Sequence, residues 1–507
     1  MKILLVYPHY PDTFWSFTHA LKFVAKKAAH PPLGLLTVAS MLPHGWEKRL
    51  VDMNVASLKD EDIRWADYVF ISAMVVQRSS VREVIKRCKE LGKKVVAGGP
   101  LFSTEPGEFT DVDHLVLNEA EVTLPLFLTD LAQGSPKSVY TSGEHPDVCR
   151  TPVPLWSLIN MKSYASMSIQ YSRGCPFNCE FCDIVFLDGH IPRTKGTQQM
   201  LDELEALYNI GWRGSIFIVD DNFIGNKKKL KVETMPAIIE WMERKRNPFN
   251  FITEASINLA DDDELIDLMV KAGFCRVFIG IETPNEASLS ECDKRQNMSR
   301  DLVASVKKIQ NSGLEVMGGF IVGFDSDPIS IFKSQINFIQ KSGIVTAMVG
   351  LLNAPKGTRL YQRLKKENRL LKDSTFTGDN TDFSLNFIPK MNRETLINGY
   401  QQVLNTIYSP KPYYDRILTL LKEYRPKHKT SISQLKFDDH IRGFFQCVWS
   451  VGIREKGRRY FWRLFASALF RYPRHIPLFI TLAAYGYHFR KVVGKYIGTP
   501  VKDTVGS

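Results

Sequence analysis

The chain has 507 residues, 44% hydrophobic and 24% charged, which is ordinary globular usage and enough length for roughly two to four domains. Its eight cysteines are scattered at positions 88, 149, 175, 179, 182, 275, 292 and 447, which excludes a dense disulfide framework and points to a reducing cytoplasm. The formal net charge of +12 is concentrated in residues 441–507, where twelve basic side chains face only Glu455 and Asp503, leaving the rest nearly neutral.

The opening run Ile3–Tyr7 stops at Pro8, far short of a signal-sequence apolar core of roughly 7–15 residues. It reads as a first buried strand. Further β-rich runs at Arg49–Val51, Tyr68–Ser72, Lys94–Ala97 and His114–Leu117 alternate with helix-like stretches such as Val81–Leu91. That rhythm predicts an α/β, doubly wound, Rossmann-like domain over residues 1–132. Residues 133–164, richer in Gly, Pro and Ser, read as a linker. A second α/β series follows, with strands expected at Met167–Tyr171, Ser215–Val219, Phe251–Glu254, Arg276–Gly280, Val316–Val322 and Ala347–Leu351. Six such units predict a partial TIM-type (β/α)6 barrel over 165–375. Beyond it, 376–507 reads as a mainly helical, basic extension, with helices through Asn392–Tyr408 and Tyr414–Tyr424.

Directly after the first barrel strand stands Cys175-Pro176-Phe177-Asn178-Cys179-Glu180-Phe181-Cys182. Three soft thiolates on one loop suit a [4Fe–4S] cluster and leave one iron open to a further ligand. A structural zinc would be closed by a fourth Cys or His, and His190 has no finger-type spacing. Cys275 and Cys292 read as packing residues. The later strands end in polar groups, where a barrel of this kind collects its ligands: Asp220 and Asp221, Glu254 and Ser256, Glu282, and a glycine-rich run from Gly318 to Gly323.

The cysteine spacing, with Phe181 before the last cysteine, resembles the signature of the radical S-adenosylmethionine enzymes. The resemblance implies that S-adenosylmethionine chelates the open iron and is contacted by Phe181, Asp220, Asp221, Glu254, Ser256, Glu282 and Gly323. In the first domain no G-x-G-x-x-G opens the first helix, so the residues by themselves leave its ligand open. The run Pro31–Leu35, with Ser72, Gly98-Gly99-Pro100 and Asn118–Glu121, resembles the landmarks of cobalamin-binding domains fused to such enzymes. By that resemblance Ser72, Gln77, Gly98, Gly99, Pro100, Asn118 and Glu119 contact cobalamin. The D-x-H-x-x-G signature of histidine-ligated cobalt is absent from this domain, and its match at Asp438–Gly443 reads as chance, so a cobalt without a lower-face histidine is expected.

Ser168–Cys175, Phe217–Asn226 and the long basic extension are similar to the hopanoid 2-methylase group over nearly the full chain. This implies methylation of an unactivated carbon of a hydrophobic substrate, a hopanoid or other polycyclic lipid, through a 5′-deoxyadenosyl radical and methylcobalamin. An electron donor such as a flavodoxin or ferredoxin is implied with it. Rearrangement or ring formation with the same cofactors, and a non-catalytic cobalamin- or lipid-binding protein, stay open as alternatives.

In the extension, basic groups alternate with Phe444, Phe445, Trp449, Tyr460, Phe461, Trp462, Phe465, Phe470 and Tyr472, and the run Ile476–Tyr485 follows. This reads as peripheral contact with an anionic membrane from the cytoplasmic side, because the run falls short of the roughly 20 residues a span requires. No nucleic-acid partner is expected, since apolar residues dominate the interleaving.

Overall fold

The computed structural model describes residues 1–371, 376–379, 381–426 and 443–497. The expected domain boundary at 375 and the residues 438–442 lie outside them.

The first sheet has six strands, β1 (Lys2–Tyr7), β2 (Glu47–Asp52), β3 (Tyr68–Ser72), β4 (Lys94–Gly98), β5 (His114–Val116) and β6 (Val139–Tyr140). All pair in parallel, in the order β2-β1-β3-β4-β5-β6. The strands are apolar along nearly their whole length because helices cover both faces: Ile3 and Leu5 pack into one layer, Leu4 and Val6 into the other. The order reverses between β1 and β3, so the ligand crevice of such a sheet lies at the carboxyl ends of those two strands and their neighbours.

The stretch 133–164 is more than a linker. It supplies β6, and Tyr164 reaches back to donate its hydroxyl to Asp52 Oδ2 at 2.9 Å. A two-residue strand is too short to leave a periodic signal in the sequence.

The second sheet runs β7 (Met167–Ile169), β10 (Gly214–Ile218), β11 (Phe249–Ala255), β12 (Phe274–Glu282), β13 (Glu315–Val322) and β14 (Ala347–Leu351), in chain order and all parallel. The six expected strands are all present. Since β14 and β7 do not pair, the barrel is open on one side. A two-stranded antiparallel hairpin, β8 (Ser172–Arg173) with β9 (Arg193–Thr194), brackets the cysteine loop.

Alternation along the barrel strands separates helix-facing from lumen-facing positions. Phe249 stacks on Trp241 of the helix Met235–Arg244, so Ile252 and Glu254, of the opposite parity, face inward. In β12, Phe278 lies inward, where Trp15 meets it edge-on at 5.3 Å and donates its indole N–H toward Met348 Sδ at 3.1 Å. The N-terminal segment thus closes one end of the lumen.

The helices Arg393–Tyr408 and Pro410–Glu423 form as expected, followed by Arg458–Arg471 and the 22-residue Ile476–Ile497. The last of these is a packing element, with Phe479, Leu482, Ala483 and Phe489 buried and Phe489 stacked on Phe14 at 4.2 Å. This corrects the membrane reading of the run Ile476–Tyr485, whose apolar side meets protein. No helix among the described residues is long and apolar enough to cross a membrane.

Candidate functional site

The loop carrying Cys175, Cys179 and Cys182 is held by three separate devices. At its entry, Asp220 accepts hydrogen bonds from the backbone N–H of Tyr171 (2.7 Å) and of Ser172 (2.7 Å) and from the Ser172 hydroxyl (2.5 Å). Gly174 follows with φ +91°, and a Cβ there would lie 2.8 Å from the Ile191 carbonyl, so only glycine fits beneath the β8–β9 hairpin. At its centre, the Glu180 N–H donates to the Cys292 carbonyl, and the Glu180 carboxylate accepts two bonds from Arg363, at 2.7 and 3.0 Å. Buried Cys292 is therefore a packing and backbone partner.

Two amides approach the sulfurs. Gln296 Nε2 lies 3.8 Å from Cys179 Sγ, and Asn222 Nδ2 lies 4.0 Å from Cys175 Sγ. Burial pushes the thiols of Cys175 and Cys182 up. Among the described residues no three metal-ligating side chains converge on one point as they would around a single ion. An iron–sulfur cube asks for something else, one thiolate on each of three irons. The donor set, the three sulfurs with amide N–H groups beside two of them, fits such a cluster.

The strand-end residues divide into committed and uncommitted groups. Asp220 is committed to the loop backbone, and burial pushes its carboxyl up to about 7 in spite of its donors. Glu282, in the left-handed region at φ +61°, is paired with Lys294 at 2.6 Å. Ser256 donates its N–H to Asn222 Oδ1 (3.2 Å) and its hydroxyl to Asn258 Oδ1 (2.6 Å). Gly323, at φ +109°, donates its N–H to Asp327 at 2.8 Å, and the space beside its Cα is taken by Leu396. Gly319 likewise makes room for the Phe278 ring, so these glycines are accounted for by packing within the protein. Phe181 lies between Phe324, at 6.2 Å, and Lys294, whose Nζ is 5.9 Å from the ring centre.

Asp221 and Glu254 differ from the rest. Among the described residues neither carboxylate has a hydrogen-bond or ion-pair partner. Asp221 is exposed and Glu254 half-buried. Burial, then the charge of Glu254, pushes the Asp221 carboxyl well up, and burial followed by Asp220 raises Glu254 to about 7. Two neighbouring acids with no cation beside them among the described residues suit a positively charged ligand, which S-adenosylmethionine is at its sulfonium and ammonium.

At the crevice of the first sheet, Ser72, Gly98, Gly99, Pro100 and Asn118 stand together at the ends of β3, β4 and β5. A Cβ at Gly99 (φ +91°) would meet Ser72 Oγ at 2.6 Å, and one at Gly98 would meet the Val116 carbonyl at 2.5 Å. Both glycines thus make room for neighbouring protein atoms, and Pro100 and Asn118 are the exposed residues at this crevice, open to a ligand such as cobalamin. Gln77 and Glu119 are otherwise engaged. Gln77 is buried and bridges the ends of β1 and β3, donating to the Pro8 carbonyl and accepting from the Met74 N–H. Glu119 faces the barrel and pairs with Arg173 (2.7 Å), Arg193 (2.8 Å) and His145 (3.0 Å).

Sequence reasoning missed Lys294, Gln296, Arg173 and Arg193 as site residues. Their partners are distant in sequence, and only the adjacency of Arg173 to the cysteine loop offered a signal.

Three family models match the chain: B12 binding domain over residues 24–128, Radical SAM superfamily over 169–338, and Domain of unknown function (DUF4070) over 358–499. The chain is 42% identical over 509 residues to the uncharacterized methyltransferase sll1242 of Synechocystis sp., covering 99% of this chain and 94% of that protein. It is 33% identical over 480 residues to the hopanoid C-2 methylase of Rhodopseudomonas palustris, covering 93% and 90%. The fold is similar to that of the radical S-adenosylmethionine methyltransferase TsrM from Kitasatospora setae with cobalamin and [4Fe–4S] cluster bound, with a TM-score of 0.63 at 14% identity, covering 97% of this chain and 99% of that one.

Proposed function

Because the chain belongs to the cobalamin-dependent radical S-adenosylmethionine methyltransferases, we propose that it methylates an unactivated carbon of a polycyclic membrane lipid of the hopanoid kind. An aliphatic C–H carbon is no nucleophile, so polar transfer from a sulfonium cannot reach it. When bound, the cluster supplies the electron that cleaves S-adenosylmethionine, and cobalamin supplies the methyl group.

The chain's own residues do the positioning. Cys175, Cys179 and Cys182 hold the cluster at the strand ends, and Asp221 and Glu254 present negative charge to the cationic cofactor. The crevice at Ser72, Pro100 and Asn118 would hold the corrin, and Arg173 and Arg193 tie that domain to the cysteine loop through Glu119. Holding reactants in place, rather than moving protons, is the main demand of such chemistry.

The observation that supports the substrate class is the apolar lining of the lumen, where Phe278 and Met348 meet the Trp15 plug. The relative whose name specifies methylation of a hopanoid at C-2 supports it along most of the chain. A lipid of this kind is met at a bilayer surface, and a flavodoxin or ferredoxin delivers the electrons.

The test is incubation of anaerobically reconstituted protein with methylcobalamin, S-adenosylmethionine, reductant and a hopanoid-containing lipid extract. The expected products are 5′-deoxyadenosine, S-adenosylhomocysteine and a lipid heavier by one CH₂. Deoxyadenosine with a rearranged but unmethylated lipid would overturn the reaction assigned.

A further inference from the structure

The sequence from 443 to 475 folds as a helical hairpin on the outside of the C-terminal region. Its first arm runs through 443–447 into the wide-turned segment Val448–Arg454, and its second is the helix Arg458–Arg471. The arms are antiparallel and locked together: Trp462 Nε1 donates to the Gly452 carbonyl at 2.8 Å, and the Phe444 and Phe465 rings lie 6.3 Å apart. The inner face is ordinary core, with Cys447, Val451, Phe461, Leu464 and Ala468 buried.

The outer face is not what a water-facing hairpin presents. Phe445, Trp449 and Ile453, four residues apart on the first arm, and Trp462, Leu469 and Phe470 on the second, are each between 43% and 84% exposed. Large apolar side chains gathered in this way mark an interaction surface. Around them stand the exposed cations Arg454, Arg458, Arg459, Arg463 and Arg471. The hairpin's single acid, Glu455, is already neutralised by Arg490 at 2.6 Å. A protein partner of ordinary composition would be matched by mixed charge, whereas a rim of one sign around tryptophan and phenylalanine complements an anionic bilayer, rings at headgroup depth and arginines on the phosphates.

We infer that this hairpin seats the enzyme on an anionic lipid surface, with Phe445, Trp449, Ile453 and Phe470 entering the interface and the arginines contacting headgroups. The inference rests on the lipid-substrate reading for its purpose and assigns to that reading the surface by which substrate is reached. The apolar run Ile476–Tyr485 takes no part, being packed inside.

Flotation of the full-length holoenzyme with vesicles tests it. Binding is expected to phosphatidylcholine vesicles containing phosphatidylglycerol, weakly or not to pure phosphatidylcholine, with release at high salt and a blue shift of tryptophan emission on binding. Trp449→Ser with Phe470→Ser should lower binding by roughly tenfold or more. Arg458→Gln with Arg459→Gln should lower it about fivefold per residue, since each basic group near an anionic surface contributes of that order. These side chains are exposed, so thermal midpoints should not move. Unchanged binding by both variants, no binding by the parent enzyme, or a lipid-free dimer that Trp449→Ser dissociates would each overturn the assignment. Methylation of detergent-dispersed lipid is scored alongside: if it proceeds while vesicle binding fails, the surface is wrong and the substrate reading stands. Vesicle binding with no lipid methylated supports the surface and overturns the substrate reading.

Discussion

Arg173 grips Glu121 with both arms of its guanidinium, Nη1 donating to Oε2 at 3.0 Å and Nη2 to Oε1 at 2.8 Å. Arg173 stands two residues before the first cluster cysteine, and Glu121 lies in the first turn of the helix that follows β5. The pair therefore couples the helix after β5 of the first domain to the cysteine loop of the barrel. Burial pushes the Glu121 carboxyl up, but the hydrogen bonds and charge of Arg173 outweigh it and hold it at about 2.

Arg173→Met should leave two buried carboxylates short of a partner. Removing one member of a buried pair costs roughly 3–5 kcal/mol. The thermal midpoint should fall, and methylation should fall further than cleavage of S-adenosylmethionine, because cleavage needs only the barrel. The folded-state pKa of Glu121 lies below its ordinary 4.5, so the pair's contribution is present above that value and is lost only as pH drops toward 2. In the variant burial alone acts on Glu121, so its carboxyl takes a proton by pH 4 and the penalty eases; thermal scans should show a parent-to-variant difference that is larger at pH 7 than at pH 4.

The neighbours Asp220 and Asp221 should separate cleanly under mutation. Asp220→Ala leaves the Tyr171 and Ser172 N–H groups buried without an acceptor, at about 1–3 kcal/mol each, and frees the loop entry. Iron and sulfide content after reconstitution should drop. Asp221→Asn removes only a charge with no protein partner, so the cluster should load normally while affinity for S-adenosylmethionine falls. Equal iron loss in both variants would contradict this division.

The layout of the fold was legible because a strand covered on both faces must be apolar along its length, as Ile3–Val6 is, and the turns around such strands are distinctive. Short pieces were not: β6, β8 and β9 have two residues each and no periodicity. The cysteine triad stood out by its spacing, and the fold gathers it in one loop between β8 and β9. What spacing could not tell is which polar residue at a strand end is already spoken for. Asp220 and Asp221 look alike in sequence, and only the fold shows one latched to backbone and the other unpaired. Glu119, expected at cobalamin, meets Arg193 from 74 positions away, a pairing that no local pattern encodes. In the basic extension, composition marked the region as aromatic and cationic but could not say that Ile476–Tyr485 packs inward.

Affinity for S-adenosylmethionine should rise with pH across neutrality. Burial, with Asp220 adding to it, raises Glu254 from 4.5 to about 7, so near pH 6 this group is mostly protonated and near pH 8 mostly charged. A cationic ligand is favoured by the charged form. In the cofactor-free protein Glu254's own contribution runs the other way: the folded state binds its proton more tightly than the unfolded chain, so that contribution is fullest below about 4.5 and declines as pH rises toward 7. Calorimetric titration at pH 6 and 8 on the parent and on Glu254→Gln checks both the slope and its source, since the variant should bind weakly and with less pH dependence.

Gln296 offers a way to alter the cluster without touching its ligands. Its Nε2 lies 3.8 Å from Cys179 Sγ, and its neighbour Asn297 fastens this segment to β12 by donating to the carbonyls of Gly280 and Ile281, each at 3.0 Å. An N–H directed at a ligating sulfur withdraws electron density and stabilises the reduced cluster, which raises the reduction potential. Gln296→Leu keeps the side chain's bulk and removes the donor, so the cluster should assemble with unchanged iron content but a more negative potential. Spectroelectrochemical titration would read that shift directly. Under limiting reductant, deoxyadenosine formation should slow, and a stronger reductant should restore it, which a variant with a disordered loop would not allow.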